Sequence, residues 1–145
     1  MQLHEPVLMP RHINHASGKS KTVCVTACLT ALGIPFDGFQ VTGHLGKPNY
    51  LNIANRFGFS TRSRKSKLPA KPTVGNSRKA IRKMSDDSTD IYMVVLHGNH
   101  YGNKNYCHLV LINGEGDVVV DTAACGVKRD HRKIFSIHKV TKLNS

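Results

Sequence analysis

The chain changes character at Ile91. From there four runs rich in β-branched and aromatic residues follow, IYMVVL (91–96), YCHLVLI (106–112), DVVVDT (117–122) and KIFSIHKV (133–140), separated by Gly and Asn clusters. Such runs form strands because branched and aromatic side chains pack well on a pleated surface, and Gly and Asn supply the turns between them. The short connections favour antiparallel neighbours, since a parallel pair needs a long crossover. The spacing therefore predicts a meander of antiparallel strands in the second half.

The first half has a helical period instead. Residues 1–21 are polar and irregular, broken by Pro6, Pro10 and Gly18, and are expected to form an extended N-terminal arm. In CVTACLTALGI the apolar residues Val25, Cys28, Leu29 and Leu32 fall on one helical face, with Gly33 as a stop. PFDGFQVTGHLG suggests a short helix opening at Asp37. NYLNIANRFGF suggests another, with Leu51, Ile53, Ala54 and Phe57 inward and Gly58 at its end. STRSRKSKLPAKPTVGNS lacks apolar periodicity, so 61–75 is expected to be a basic loop, or a strand fragment bounded by Pro69 and Pro72. In GNSRKAIRKMSDDS, Asn76 or Ser77 can cap a helix that buries Ala80, Ile81 and Met84. Helices first and sheet second define an α+β fold, and 145 residues with 39% hydrophobic content suit a single domain with one modest core.

Charge narrows the choice of partners. Twenty-one Lys and Arg against nine Asp and Glu give a net charge of +12, which favours acidic macromolecules. Much of the excess lies between Arg56 and Lys83, with a second patch at KRDHRK (128–133). No stretch has the roughly 18 consecutive apolar residues of a membrane span, and MQLHEPVLMPRHINHASGKSK lacks an apolar signal core, so the expectation is a cytoplasmic protein with no membrane partner. The four cysteines are expected to be thiols, Cys24 and Cys28 lying one helical turn apart.

The hairpin YCHLVLINGEGDVVVDTA holds the chemistry. With a two-residue turn at Gly114 and Glu115, or a four-residue turn from Asn113 to Gly116, residue 112 faces 117, 110 faces 119 and His108 faces Asp121. The carboxylate then reaches the imidazole. A three-residue loop would shift the register by one and put Asp121 on the other face. An imidazole fixed on one nitrogen is free to serve as a base with the other, and Cys24 is the nucleophile that stands out. It follows the polar stretch SGKSKTV at the first turn of the first helix, where the helix's positive end and nearby Lys19 and Lys21 favour a thiolate.

A cysteine opening an N-terminal helix (TVCVTACLTALGIPF), a histidine starting one strand (CHLVLI) and an Asp on the next (VVVDT) resemble the papain-like cysteine peptidases. The likeness is greatest to the compact bacterial branch with bacteriocin-processing peptidase domains and small phage-encoded relatives. It spans residues 20–123. It implies that N-terminal helices pack on a C-terminal antiparallel sheet, bringing Cys24 to His108. Cys24 would attack a carbonyl carbon, His108 would move the proton, Asp121 would orient His108, and the Cys24 backbone N–H would help hold the oxyanion. The implied partner is a protein or peptide substrate, with no cofactor, and the location is the host cytoplasm if the chain is phage-encoded. The family commonly places a Gln before the cysteine as a second oxyanion donor. Here the region is ASGKSKTV, leaving Ser20, Thr22 and Asn14 as candidates.

Other assignments compete. Cys28 lies on the apolar face, Cys107 alternates with His108 and so should point into the core, and Cys125 sits in a turn. His97, His100, Cys107 and His108 are rich in metal-ligand chemistry, but their spacing matches no zinc knuckle, so no metal is expected. A catalytically weak domain acting as a basic binding or inhibitor protein is one alternative. A nucleic-acid binder using Arg62 to Lys83 is another, although no aromatic lies between Phe59 and Tyr92 to stack on bases.

Overall fold

A computed structural model of the chain describes residues 1–8, 13–14, 19–20, 23–35, 47–97, 107–122 and 131–143. Its elements are β1 (Ile13–Asn14), β2 (Lys19–Ser20), α1 (Val23–Ala31), α2 (Lys47–Arg56), β3 (Phe59–Ser63), α3 (Val74–Met84), β4 (Ile91–His97), β5 (Cys107–Asn113), β6 (Val118–Val120) and β7 (Ile134–Lys142). Among the described residues the chain is α+β, with three α-helices and a five-stranded antiparallel sheet in the order β3-β7-β4-β5-β6. β1 and β2 form a separate two-stranded ribbon. Among the described residues no helix is long and apolar enough to cross a membrane.

Both faces of the sheet are covered. Ile91, Met93, Val95, Leu109 and Leu111 pack with α1 and α2 on one side, while Tyr92, Val94, Leu96, Val110 and Ile112 pack with Val74 and Ile81 of α3 on the other. Burial of both faces explains why IYMVVL and HLVLI are unbroken apolar runs rather than alternating ones. The strands do not form a simple meander. β7 returns across the sheet to lie between β3 and β4, which leaves the three-residue β6 at the edge. The long β7 buries Ile134, Ile137 and Val140 and can fill a central position, whereas β6 exposes Val119.

α1 is not the one-faced helix its spacing suggests. Every described residue from Cys24 to Leu32 is buried, as expected of a helix enclosed on all sides. The N-terminal arm provides the missing cover. The His4 N–H donates to Ala31 O at 2.7 Å, and the Val7 N–H donates to Thr30 Oγ1 at 2.8 Å. The Thr30 hydroxyl in turn donates to Thr26 O at 2.7 Å, so the polar side of α1 is satisfied under the arm.

α2 buries Ile53 and Ala54, with Leu51 and Phe57 packed against the core, and Gly58 ends it at φ +88°. Tyr50 is also fully buried and completes the i, i+3, i+4, i+7 face with Ile53, Ala54 and Phe57, a position the expectation left out. The 61–75 segment is not a loop throughout, because β3 pairs along β7 from Phe59↔Lys142 to Ser63↔His138. The α3 cap is Thr73 rather than Asn76 or Ser77. Thr73 Oγ1 accepts the Asn76 N–H at 3.1 Å and Asn76 Oδ1 accepts the Thr73 N–H at 2.7 Å, a reciprocal capping box. The helix expected at Asp37 lies outside the described residues.

Candidate active site

The hairpin that carries the site departs twice from the expected register. The Asn113 N–H bonds Asp117 O at 2.9 Å, closing a three-residue loop of Gly114, Glu115 and Gly116. Gly116 sits at φ +85°, where a side chain would be strained and a Cβ would lie 2.5 Å from Arg78 Cγ. Ile112 pairs with Val118, but the next pair is Leu111 with Val120, so Val119 is an extra, bulged residue. The odd loop alone would set Asp121 on the face opposite His108. The bulge shifts the register once more and restores the side, so Asp121 follows Val120 opposite Val110, two residues along from His108.

The pair forms despite the different route. His108 Nε2 and Asp121 Oδ1 are 2.8 Å apart, with His108 only 2% exposed. The Cys24 side chain is near enough to His108 to help hold the ring's proton, second to Asp121 among the groups that do so. With Nε2 engaged by the carboxylate, Nδ1 is the nitrogen left for sulfur. Cys24 is the second residue of α1 and is buried in the core cluster that α1 forms with the sheet. Its backbone N–H belongs to the first helical turn, whose N–H groups have no acceptor within the helix. One turn on, the Cys28 thiol donates to Leu109 O at 3.6 Å, fastening α1 to the residue after His108. Burial, then the neighbouring Cys24 and Asp121 charges, push the Cys28 thiol well above its ordinary range. Cys28 is thus the structural thiol of the two.

A fourth group was not identified from sequence. Arg132 Nη2 lies 2.8 Å from Asp121 Oδ2, and both side chains are less than 5% exposed. KRDHRK reads in the sequence only as a second basic patch; of its residues 131–133 are described, and there Arg132 O accepts the Val74 N–H at 2.9 Å and Lys133 bridges to Thr73. The available signal was alternation. Arg132 is two residues before the buried Ile134, with exposed Lys133 between them and exposed Phe135 following.

Electrostatics follow from this chain of contacts. Burial disfavours a charged His108, but hydrogen bonds to Asp121 and Cys24 and their charges outweigh it, so His108 is pushed up to about 9. At neutral pH the ring is an imidazolium between sulfur and carboxylate. Such buried charges cost desolvation energy and are poor stabilisers.

The remaining candidates divide. Asn14 and Ser20 lie in the ribbon just before α1, where Ser20 pairs with Ile13, but their side chains, and Thr22 as a whole, are outside the described residues. His100, Cys125 and the Cys107 side chain are outside them as well. His97 packs edge-on against Phe135, ring centroids 5.2 Å apart, while His108 serves Asp121. Among the described residues no group of three or more His, Cys, Asp or Glu is placed to hold a metal. No family model, curated protein or solved structure matches the chain.

Proposed function

We propose that the protein is a thiol hydrolase of papain-like fold that cleaves a peptide or isopeptide bond with Cys24, His108 and Asp121. The observation that carries this is the His108 ring, buried, 2.8 Å from Asp121 through Nε2, with the Cys24 side chain among the groups that push it up to about 9. A nucleophile, a base and a group that orients the base define covalent acyl chemistry.

Attack starts from the ion pair in which His108 already carries the proton from Cys24: the sulfur attacks the carbonyl carbon, forming a C–S bond and placing the carbonyl electron pair on oxygen. The Cys24 N–H at the helix start is directed at that oxyanion. As the oxyanion collapses, the C–N bond breaks and His108 delivers its proton to the departing amine. Water then attacks the thioester while neutral His108 takes its proton. The C–S bond breaks, the acid is released and the proton returns to the cysteine–histidine pair. An amine in place of water would give amide transfer by the same steps. Arg132 fixes the second oxygen of Asp121, so the carboxylate cannot rotate away from His108.

The test is alkylation by iodoacetamide near neutral pH, with the modified peptides mapped by mass spectrometry. Cys24 should be labelled first, and His108→Ala should slow it. A Cys24 that reacts no faster than a free thiol and is indifferent to His108→Ala would remove the catalytic assignment.

A further inference from the structure

β7 carries a second irregularity, remote from any need of the triad. Val95 pairs with Ser136 and Leu96 with Ile134, so Phe135 is an extra residue in the β4–β7 ladder. A bulge re-aims the side chain it carries, and here it leaves a phenyl ring 43% exposed. The ring has polar company. Lys65 Nζ stands 5.3 Å from its centroid, and His97 meets it edge-on at 5.2 Å. Exposed Lys133 adjoins this group, its carbonyl accepting the His97 N–H at 2.9 Å, and exposed Lys67 shares a 3-10 turn with Lys65. The sequence has no acidic residue between Asp37 and Asp86, so nothing within the basic segment neutralises it. The missing aromatic of that segment is thus supplied from seventy residues downstream by the fold.

We infer that the surface around Phe135, Lys65, Lys67, Lys133 and His97 binds single-stranded nucleic acid. The lysines meet successive phosphates, and a base stacks on Phe135. Charge alone would suit any acidic partner, but an exposed ring among cations matches a ligand that repeats a negative charge and a flat apolar ring in every unit. An acidic peptide supplies only the charge. A duplex keeps its bases stacked internally and cannot use the ring.

The test is fluorescence polarisation of the full chain with labelled single strands of about 12 nucleotides, within the usual range of site sizes. The same strand as a duplex and an oligo-glutamate competitor complete the set. Single strands should bind more tightly than the duplex, and Phe135→Ala should weaken them roughly tenfold with an unchanged circular dichroism spectrum. Lys65→Gln with Lys67→Gln should reduce the slope of log affinity against log salt by about 1.4, roughly 0.7 for each lost phosphate contact. Cys24→Ser should bind like the parent, which separates this surface from the hydrolase assignment. Equal binding by Phe135→Ala and the parent, preference for the duplex, or displacement by oligo-glutamate at matched charge would each overturn the inference.

Discussion

Two sets of ion pairs sit at opposite ends of the same central strands. At one end Lys139 reaches Asp86 at 2.8 Å and Asp90 at 3.3 Å. At the other, Asp121 holds His108 and Arg132, each at 2.8 Å. The distances are alike and the surroundings are not: the Asp86 side chain is 89% exposed, whereas Asp121 is 4% exposed. Water screens the first set, so its loss is easily replaced by hydration. The second set has no such substitute. Removing one member leaves its partners charged and buried, which is strongly destabilising.

The largest effect should come from breaking the buried set on one side. Asp121→Ala strands Arg132 and His108 and should lower the unfolding free energy by about 3–5 kcal/mol in urea denaturation, with Cys24 alkylation slowed as well. Replacing both Asp121 and Arg132 by apolar residues, as in Asp121→Leu with Arg132→Met, should recover much of the stability and none of the Cys24 reactivity. That outcome would separate the role of the pair from its contribution to folding. If reactivity returned with stability, the pair would be merely structural.

Insertion of one alanine between Val120 and Asp121 should rank next. It shifts Asp121 by one position to the opposite face, and Cys24 should lose its fast alkylation. Deletion of Val119 removes only the extra residue and leaves 111 opposite 120, so it should spare the reaction. Loss of the reaction in that deletion would show that the bulge has a role beyond register.

The pH dependence should be smaller and has a definite sign. His108 has a folded-state value of about 9, above the unfolded histidine value of about 6.5. Its contribution is therefore present in full below about pH 6.5 and lost as pH rises through about 9, a change on the order of 3 kcal/mol. The stability difference between the parent and His108→Gln, followed by urea denaturation, should shrink across that window. The least effect is expected at the other end of the sheet. The Lys139 hydrogen bond holds the Asp86 carboxyl below its usual range, but Asp86 is exposed, so Asp86→Asn should leave Cys24 alkylation unchanged and move the unfolding midpoint far less than Asp121→Ala.

The contrast also marks what the sequence could reveal. Strand-forming composition predicted β4 to β7, and the helix-start cysteine, His108 and Asp121 were found because each has a local signature. His108 and Asp121 stand 2.8 Å apart, the pairing that the hairpin suggested. Three things were hidden because they depend on remote contacts. The enclosure of α1 depends on the arm at residues 1–8 covering Thr26 and Thr30. The position of β7 depends on pairing with β3, a strand masked by its basic composition. Arg132 resembled its charged neighbours, and only the alternation with Ile134 set it apart. The hairpin is the instructive case: the loop was counted as even, the actual loop is odd, and Val119 compensates.

The central claim is that His108 is held as a buried cation between Cys24 and Asp121. It is tested most directly by nuclear magnetic resonance of ring-labelled histidine across about pH 5–10, a range spanning the ordinary histidine value and the raised one. The account predicts that His108 titrates near 9 and falls in Asp121→Asn and in Cys24→Ser. Titration of His108 near 6.5 in the parent, unmoved by either substitution, would contradict it.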